Sequence, residues 1–182
     1  MIEVSGRRDF VVAISKLLAD PSAPLRVSRE GHFDDLFVTS SRVSPGEPAG
    51  FEGQLEAAHP GIMVRGRVFG SWQGECVRCL EEARGQISTQ VDEIFEPKEL
   101  IDQYEEPDEI YTYEFEQVDL EPLVRDALVL ELPVVPLCSP DCRGLCVQCG
   151  INLNDVAAGR ASHHCDDEPP ILREISVDLP SQ

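Results

Sequence analysis

The stretch Gly61–Phe95, GIMVRGRVFGSWQGECVRCLEEARGQISTQVDEIF, decides how the chain folds. In its first half Ile62, Val64 and Val68 alternate with Met63, Arg65 and Arg67; in its second half Ile87, Thr89 and Val91 alternate with Gln86, Ser88 and Gln90. Successive side chains of a strand point to opposite faces, so both halves predict strands with one apolar and one wet face. CVRC, Cys76 to Cys79, falls between them and is expected at the tip of an antiparallel hairpin that carries two thiols. Short runs of similar texture, HFDDLFVTS and GFEGQLEAA, precede it and are separated by Gly and Pro. The fold class expected is α+β: an antiparallel, barrel-like sheet with a packed helix and a zinc-stabilised C-terminal segment.

Outward from the hairpin, VDLEPLVRDALVLELP is the clearest helix, with Asp119 placed to cap it, Pro122 in the first turn and Pro133 as the stop. Leu120, Leu123, Val124, Ala127 and Leu128 form the stripe expected to pack on the sheet. Near the start, DFVVAISKLLAD offers either a helix with Phe10, Ile14, Leu17 and Leu18 on one face or a strand leading into a short helix. Between Asp92 and Glu121 stand 13 acidic residues against Lys98 alone, and the core of this stretch, KELIDQYEEPDEIYTYEFEQ, reads as a solvated, partly mobile connection. The divisions expected are an N-terminal segment 1–24, a sheet domain 25–137 containing the hairpin and the acidic connection, and a Cys-rich, zinc-binding segment 138–182.

A formal net charge of -19 repels nucleic acid and anionic lipid, so any contact with RNA needs a local basic face or a protein intermediary. Arg65, Arg67, Arg78 and Arg84, with Phe69 and Trp72, are the candidate basic face on the hairpin. The N-terminus lacks the apolar run of a signal peptide, and no stretch has the apolar length of a membrane span. A cytoplasmic protein without a membrane partner is therefore expected. In that reducing compartment disulfide staples are rare, and an odd count of 7 cysteines fits full pairing poorly.

The thiols come in pairs suited to a tetrahedral metal: Cys76 with Cys79, Cys138 with Cys142, Cys146 with Cys149, and Cys165 with His163. Eight ligands make two closed sites for Zn²⁺, although one ion would need only four of them. In one grouping Cys146, Cys149, His163 and Cys165 form a compact C-terminal site, while the hairpin pair Cys76 and Cys79 joins Cys138 and Cys142 across a long loop. The rivals are a local cluster of Cys138, Cys142, Cys146 and Cys149, and a ribbon from the two C-x2-C pairs. His164 competes with His163 as the nitrogen ligand. A thiol oxidoreductase built on Cys76 and Cys79 is the enzymatic alternative, but Glu75, Glu81 and Glu82 crowd that pair and there is no thioredoxin-like setting. HExxH, a Gly-rich phosphate loop and a G-x-S-x-G elbow are all missing, so no catalytic residue is expected.

The ordered set of GECVRCLEE, an acidic stretch, a DL helix with an LP stop, and CSPDCRGLCVQCGINLN resembles the YceD family of bacterial and plastid proteins, the large ribosomal RNA subunit accumulation proteins, in an actinobacterial-looking variant. The resemblance runs from about Leu25 to Asn154. It implies a non-enzymatic role in the synthesis, processing or accumulation of large-subunit ribosomal RNA, and hence in ribosome assembly. The implied partner is that RNA or its precursor particle, met directly or through a basic ribosomal protein; a general zinc-dependent protein adaptor is the alternative. Relatives continue with a C-x-C or His-rich element that maps onto His163 and Cys165, which favours two sites. The end of this chain, DDEPPILREISVDLPSQ, departs from the family's usual apolar helix, so none is expected there.

Overall fold

The computed structural model describes residues 8–103 and 110–165. Its elements in chain order are β1 (Val11–Ala13), α1 (Ser15–Ala19), β2 (Leu25–Gly31), β3 (Ser41–Val43), β4 (Ala49–Ala57), β5 (Ile62–Glu75), β6 (Glu82–Pro97), β7 (Thr112–Glu114), β8 (Gln117–Asp119), α2 (Glu121–Glu131) and α3 (Leu153–Ala157). The strands form one mostly antiparallel sheet in the order β1-β8-β7-β6-β5-β4-β2, with β3 beside β5 beyond the end of β4. The path coils into a nearly closed barrel whose two ends are β1 and β2, so the fold is α+β as the alternation predicts. Among the described residues only the β6–β7 pairing is parallel.

The β5–β6 hairpin is the spine, running in unbroken register from Ile62 opposite Phe95 to Glu75 opposite Glu82. Ile62, Val64, Val68 and Ile87 are buried while Arg65, Arg67, Gln86, Ser88 and Gln90 face solvent. Gly53 of β4 stands opposite Gly66 of β5. A Cβ on either would lie 2.7 Å from the Phe51 ring and closer still to backbone of the other strand, so only glycine lets the two chains approach and the ring cover them.

Phe10, Val12, Ile14 and Leu17 from the N-terminal end share one core with Phe51, Leu55, Val64, Phe95 and Leu128. The DFVVAISKLLAD stretch takes the strand-then-helix alternative, and Leu18, expected on the buried face, is 41% exposed because α1 is only one turn and a half long. Helix α2 lies on β5 and β6, and Leu123, Val124, Ala127 and Leu128 are its buried side, following buried Leu120. Asp119 does act at its start, accepting from the Glu121 amide at 2.9 Å.

Two readings differ. HFDDLFVTS is a turn with one isolated bridge from Phe37 to Arg42; Asp34 and Asp35 bend the chain, although Phe33 and Leu36 on either side are buried. The acidic core is also partly built into the fold, since Lys98–Gln103 forms a 3-10 helix after β6 and its last residues enter the β7–β8 hairpin. Backbone pairing sets that structure, and the carboxylates stay on the wet side. Residues 104–109 of that stretch lie outside the described residues, as do 1–7 and the segment 166–182 where no helix was expected. Among the described residues no helix is long and apolar enough to cross a membrane.

Candidate metal centres

The hairpin tip is a tight turn. Cys76 donates its amide to the Glu81 carbonyl at 2.8 Å, and the Leu80 amide returns to the Cys76 carbonyl at 2.8 Å. The second C-x2-C repeats this geometry: Cys146 donates to the Ile151 carbonyl at 2.8 Å and Gly150 to the Cys146 carbonyl at 2.9 Å. Both knuckles close through a left-handed residue, Leu80 at φ 63° and Gly150 at φ 73°. Such turns aim backbone amides at the first sulfur, and the Gln148 amide reaches Cys146 Sγ at 3.4 Å.

Each knuckle meets a second pair. Cys76, Cys79, Cys138 and Cys142 form one group, and Cys146, Cys149, His163 and Cys165 the other, with the donor atoms of each within 4.8 Å of one another. All the cysteines are free thiols. In the first group Cys76 Sγ lies 3.7 Å from Cys142 Sγ and Cys79 Sγ 3.5 Å from Cys138 Sγ. Zinc–sulfur bonds near 2.3 Å put neighbouring sulfurs of a tetrahedron about 3.8 Å apart, so these spacings suit a four-thiolate ion and are far too long for disulfides. In the second group His163 Nε2 is buried with no hydrogen-bond partner, while His164 is exposed. An orphaned buried imidazole nitrogen beside three thiols fits a fourth ligand position. Of the groupings open from spacing alone, the structure brings together the long-loop pair and the compact C-terminal set; the local four-cysteine cluster and the two-knuckle ribbon do not form.

The two centres differ in surroundings. The first is a small core of its own, with Cys76 fully buried, Cys79 and Cys142 nearly so, and Trp72, Leu137 and Leu145 packed around them. In the second only Cys146 is largely covered, and Cys149 is exposed. Arg78 ties the hairpin to the tail: its guanidinium donates to the Cys142 carbonyl at 2.9 Å, and its own carbonyl accepts from the Leu145 amide at 3.0 Å. Asn154, on α3, donates to Cys142 Sγ at 3.3 Å, and Asn152 donates across to Glu81 at 2.9 Å. The GINLN stretch thus supplies an outer layer of amides, a role that the sequence reading left unassigned although two Asn in a short, Gly-led run were its visible signal.

Protonation is uneven within each group. Burial pushes the Cys76 thiol up, but the backbone amides of Cys138, Cys79 and Arg78 together outweigh it and bring it to about 6. The amides of Cys149 and Gln148 likewise bring Cys146 to about 6. Cys79 is pushed up to about 12 by burial, and Cys165 to about 12 chiefly by the neighbouring Cys149 thiol. Each group therefore holds a ready thiolate beside thiols that only a cation would ionise.

The hairpin arginines, by contrast, are committed. Arg65 pairs with Asp92 at 2.9 Å and Glu56 at 3.6 Å, Arg67 with Glu52 at 2.9 Å, and Arg84 with Glu82 at 2.7 Å. Their charge is met at home, whereas Arg78, the fourth arginine of the basic face expected on the hairpin, donates to the Pro140 and Cys142 carbonyls and meets no carboxylate among the described residues.

The profile of the large ribosomal RNA subunit accumulation protein YceD matches residues 64–174, a span that takes in the hairpin, α2 and both centres. The chain belongs to the YceD family. Among relatives, uncharacterized proteins of Mycobacterium tuberculosis and Mycobacterium bovis are 42% identical over 101 residues, which is 55% of this chain and 49% of theirs. A chloroplastic YCED homolog of Zea mays, named as a large ribosomal RNA subunit accumulation protein, is 38% identical over 42 residues, 23% of this chain and 14% of that one. The chain thus spans about half the length of the mycobacterial relatives it matches. No solved structure matches it significantly. Every residue of the two YceD centres, from Cys76 to Cys165, falls inside the matched span.

Proposed function

We propose that this YceD protein is a non-enzymatic assembly factor of the cytoplasm that promotes synthesis, processing or accumulation of large-subunit ribosomal RNA. In this reading Cys76, Cys79, Cys138 and Cys142 hold one Zn²⁺, and Cys146, Cys149, His163 and Cys165 a second. The observation that carries it is the placement of both four-donor groups within the YceD match. A four-thiolate centre is closed, with no open position for substrate, which supports a scaffold rather than a catalyst. The metals fix how the segment from residue 138 docks on the sheet, and the surface so shaped meets the precursor particle, through RNA or through a basic ribosomal protein attracted by the acidic body.

Two measurements test this. Co-sedimentation with large-subunit precursors should enrich the protein there over mature ribosomes; an even spread through soluble fractions would argue for a general adaptor instead. Metal analysis of protein purified without added chelator should give two zinc per chain, and all thiols of the first centre should resist alkylation until a chelator is added. Rapid alkylation of Cys76 in metal-replete protein would instead support the oxidoreductase reading.

A further inference from the structure

An acidic protein that meets ribosomal RNA needs a place where several positive charges are free together, and the hairpin offers only Arg78, whose guanidinium is held by the Pro140 and Cys142 carbonyls. Arg65, Arg67, Arg84, Lys98, Arg125 and Arg160 all meet carboxylates. Lys16, Arg26 and Arg29 meet none among the described residues; Arg29 donates only to the adjacent Ser28 carbonyl at 2.9 Å. These three, Lys16 from α1 and the other two from β2, together line one groove of about 380 Å³, with Val12, Ala13 and Ser15 also in its wall. Among the described residues no acidic side chain lines it, whereas Glu75, Asp126 and Glu47 enter the grooves beside the knuckle, α2 and Phe69.

The groove's position follows from the topology. β1 and β2 are the two ends of the sheet path, each hydrogen-bonded to a strand on one side only, β8 and β4 respectively. The seam where the barrel stays open therefore has strand edges along it. Arg26 stands on the outer face of β2 and half-buried Arg29 on the inner face, so their heads reach the seam from both sides of that edge, and Lys16 faces them from α1. The Arg29 guanidinium makes only an exposed hydrogen bond to a neighbouring carbonyl, so its charge is left open to an anion.

We propose that this seam is the RNA contact of the protein, taking the phosphate backbone of a single strand; the proposal rests on the ribosomal RNA role put forward above. Three cations spaced along an open groove track phosphates, and no aromatic side chain lines the groove to stack bases, so the contact positions the RNA without reading its sequence.

The test uses the full-length, metal-replete protein with a labelled oligouridylate and with transcribed fragments of large-subunit ribosomal RNA, measuring anisotropy over a salt series. Lys16→Ala/Arg26→Ala/Arg29→Ala should weaken binding roughly tenfold or more and flatten the slope of log affinity against log salt by about 2, the loss of three phosphate contacts on a single strand. Arg65→Ala/Arg67→Ala should leave both unchanged. Because Arg29 is half-buried, the exposed pair Lys16→Glu/Arg26→Glu provides a second variant that keeps the core, and zinc content checks the fold of each. An unchanged slope in both seam variants, or no RNA binding by the wild type, overturns the seam. Co-sedimentation separates the two levels: if a seam variant that has lost RNA binding still travels with precursor particles, the assembly role stands through a protein partner. A wild type that binds RNA through the seam but never travels with precursors leaves the seam in place and removes the assembly role.

Discussion

The two metal centres use the same knuckle and end in opposite situations. Cys76–Leu80 and Cys146–Gly150 share their hydrogen-bond pattern, their left-handed closing residue and their ready first thiolate. The first knuckle grows out of the longest pair of strands and meets ligands 59 and 66 residues away in sequence, inside a shell of Trp72, Leu137 and Leu145. The second stands on the tail, completes itself within 16 residues of Cys149 and leaves that thiol exposed. Identical local turns therefore serve different ends: one donor group gathers distant parts of the fold, and the other closes within a local loop. How much stability each contributes should follow the length of chain it closes.

The largest effect should come from breaking the long-range centre. Cys142→Ser should halve the zinc content and cost on the order of 4 kcal/mol, because loss of a structural metal leaves the buried thiols of Cys76 and Cys79 without their cation and frees the tail. Denaturation followed by tryptophan fluorescence, read at Trp72 beside the centre, checks this. A variant that keeps wild-type stability would show that packing rather than metal holds the hairpin to the tail.

Cys165→Ser should also halve the zinc content but leave the sheet's unfolding midpoint nearly unchanged, with altered amide exchange confined to residues from Cys146 onward. Acid titration of the wild type sharpens the contrast. Protons compete with the cation for each thiolate, so zinc release as pH falls should proceed in two steps, the exposed second centre first. A single concerted release would mean that the two centres form one unit.

Between the centres lies Arg78. Removing its side chain in Arg78→Ala deprives the Cys142 carbonyl of a donor and should cost about 1 to 2 kcal/mol, with both metals retained. Gly144→Ala attacks the same contact from the other side, since at φ 75° its new Cβ would sit 3.0 Å from the Arg78 carbonyl oxygen. A cost of similar size is expected, and a double variant less destabilised than the sum would show that the two act on one junction.

What the sequence revealed, and what it hid, divides along the same line between local pattern and distant contact. Alternation over Ile62–Val68 and Ile87–Val91 was enough to read the hairpin, because side-chain period is a property of the strand itself. The eight donors were legible because thiolates at a knuckle spacing have few other uses in a reducing compartment. Their grouping was not, since Cys76 finds Cys142 only through the docking of the tail on the sheet, and spacing is silent about that. The hairpin arginines misled for a related reason: Asp92, Glu56 and Glu52 are remote in sequence and become neighbours only through strand register. The seam cations went unread for a different reason: Arg26 and Arg29 are near neighbours on one strand, but only the folded chain sets Lys16 of α1 beside that strand and leaves an open groove between them.

The smallest expected effect tests whether the knuckles are one motif with two sequences. Leu80 occupies a left-handed conformation that a non-glycine residue adopts at a cost of about 1 kcal/mol or more, and its side chain is 58% exposed. Leu80→Gly relieves that strain but makes the unfolded chain more flexible by about 0.5 to 1 kcal/mol, so the two terms should nearly cancel. At Gly150 nothing lies within 4 Å of an added Cβ, so Gly150→Ala isolates the backbone term and should cost about 1 kcal/mol with no steric component. If Leu80→Gly instead lost as much as Gly150→Ala, the exposed leucine would be engaged in more than closing a turn. It lines the groove between Phe37 and Val77, themselves exposed apolar residues, and a stability loss there would mean that they pack on one another in solution.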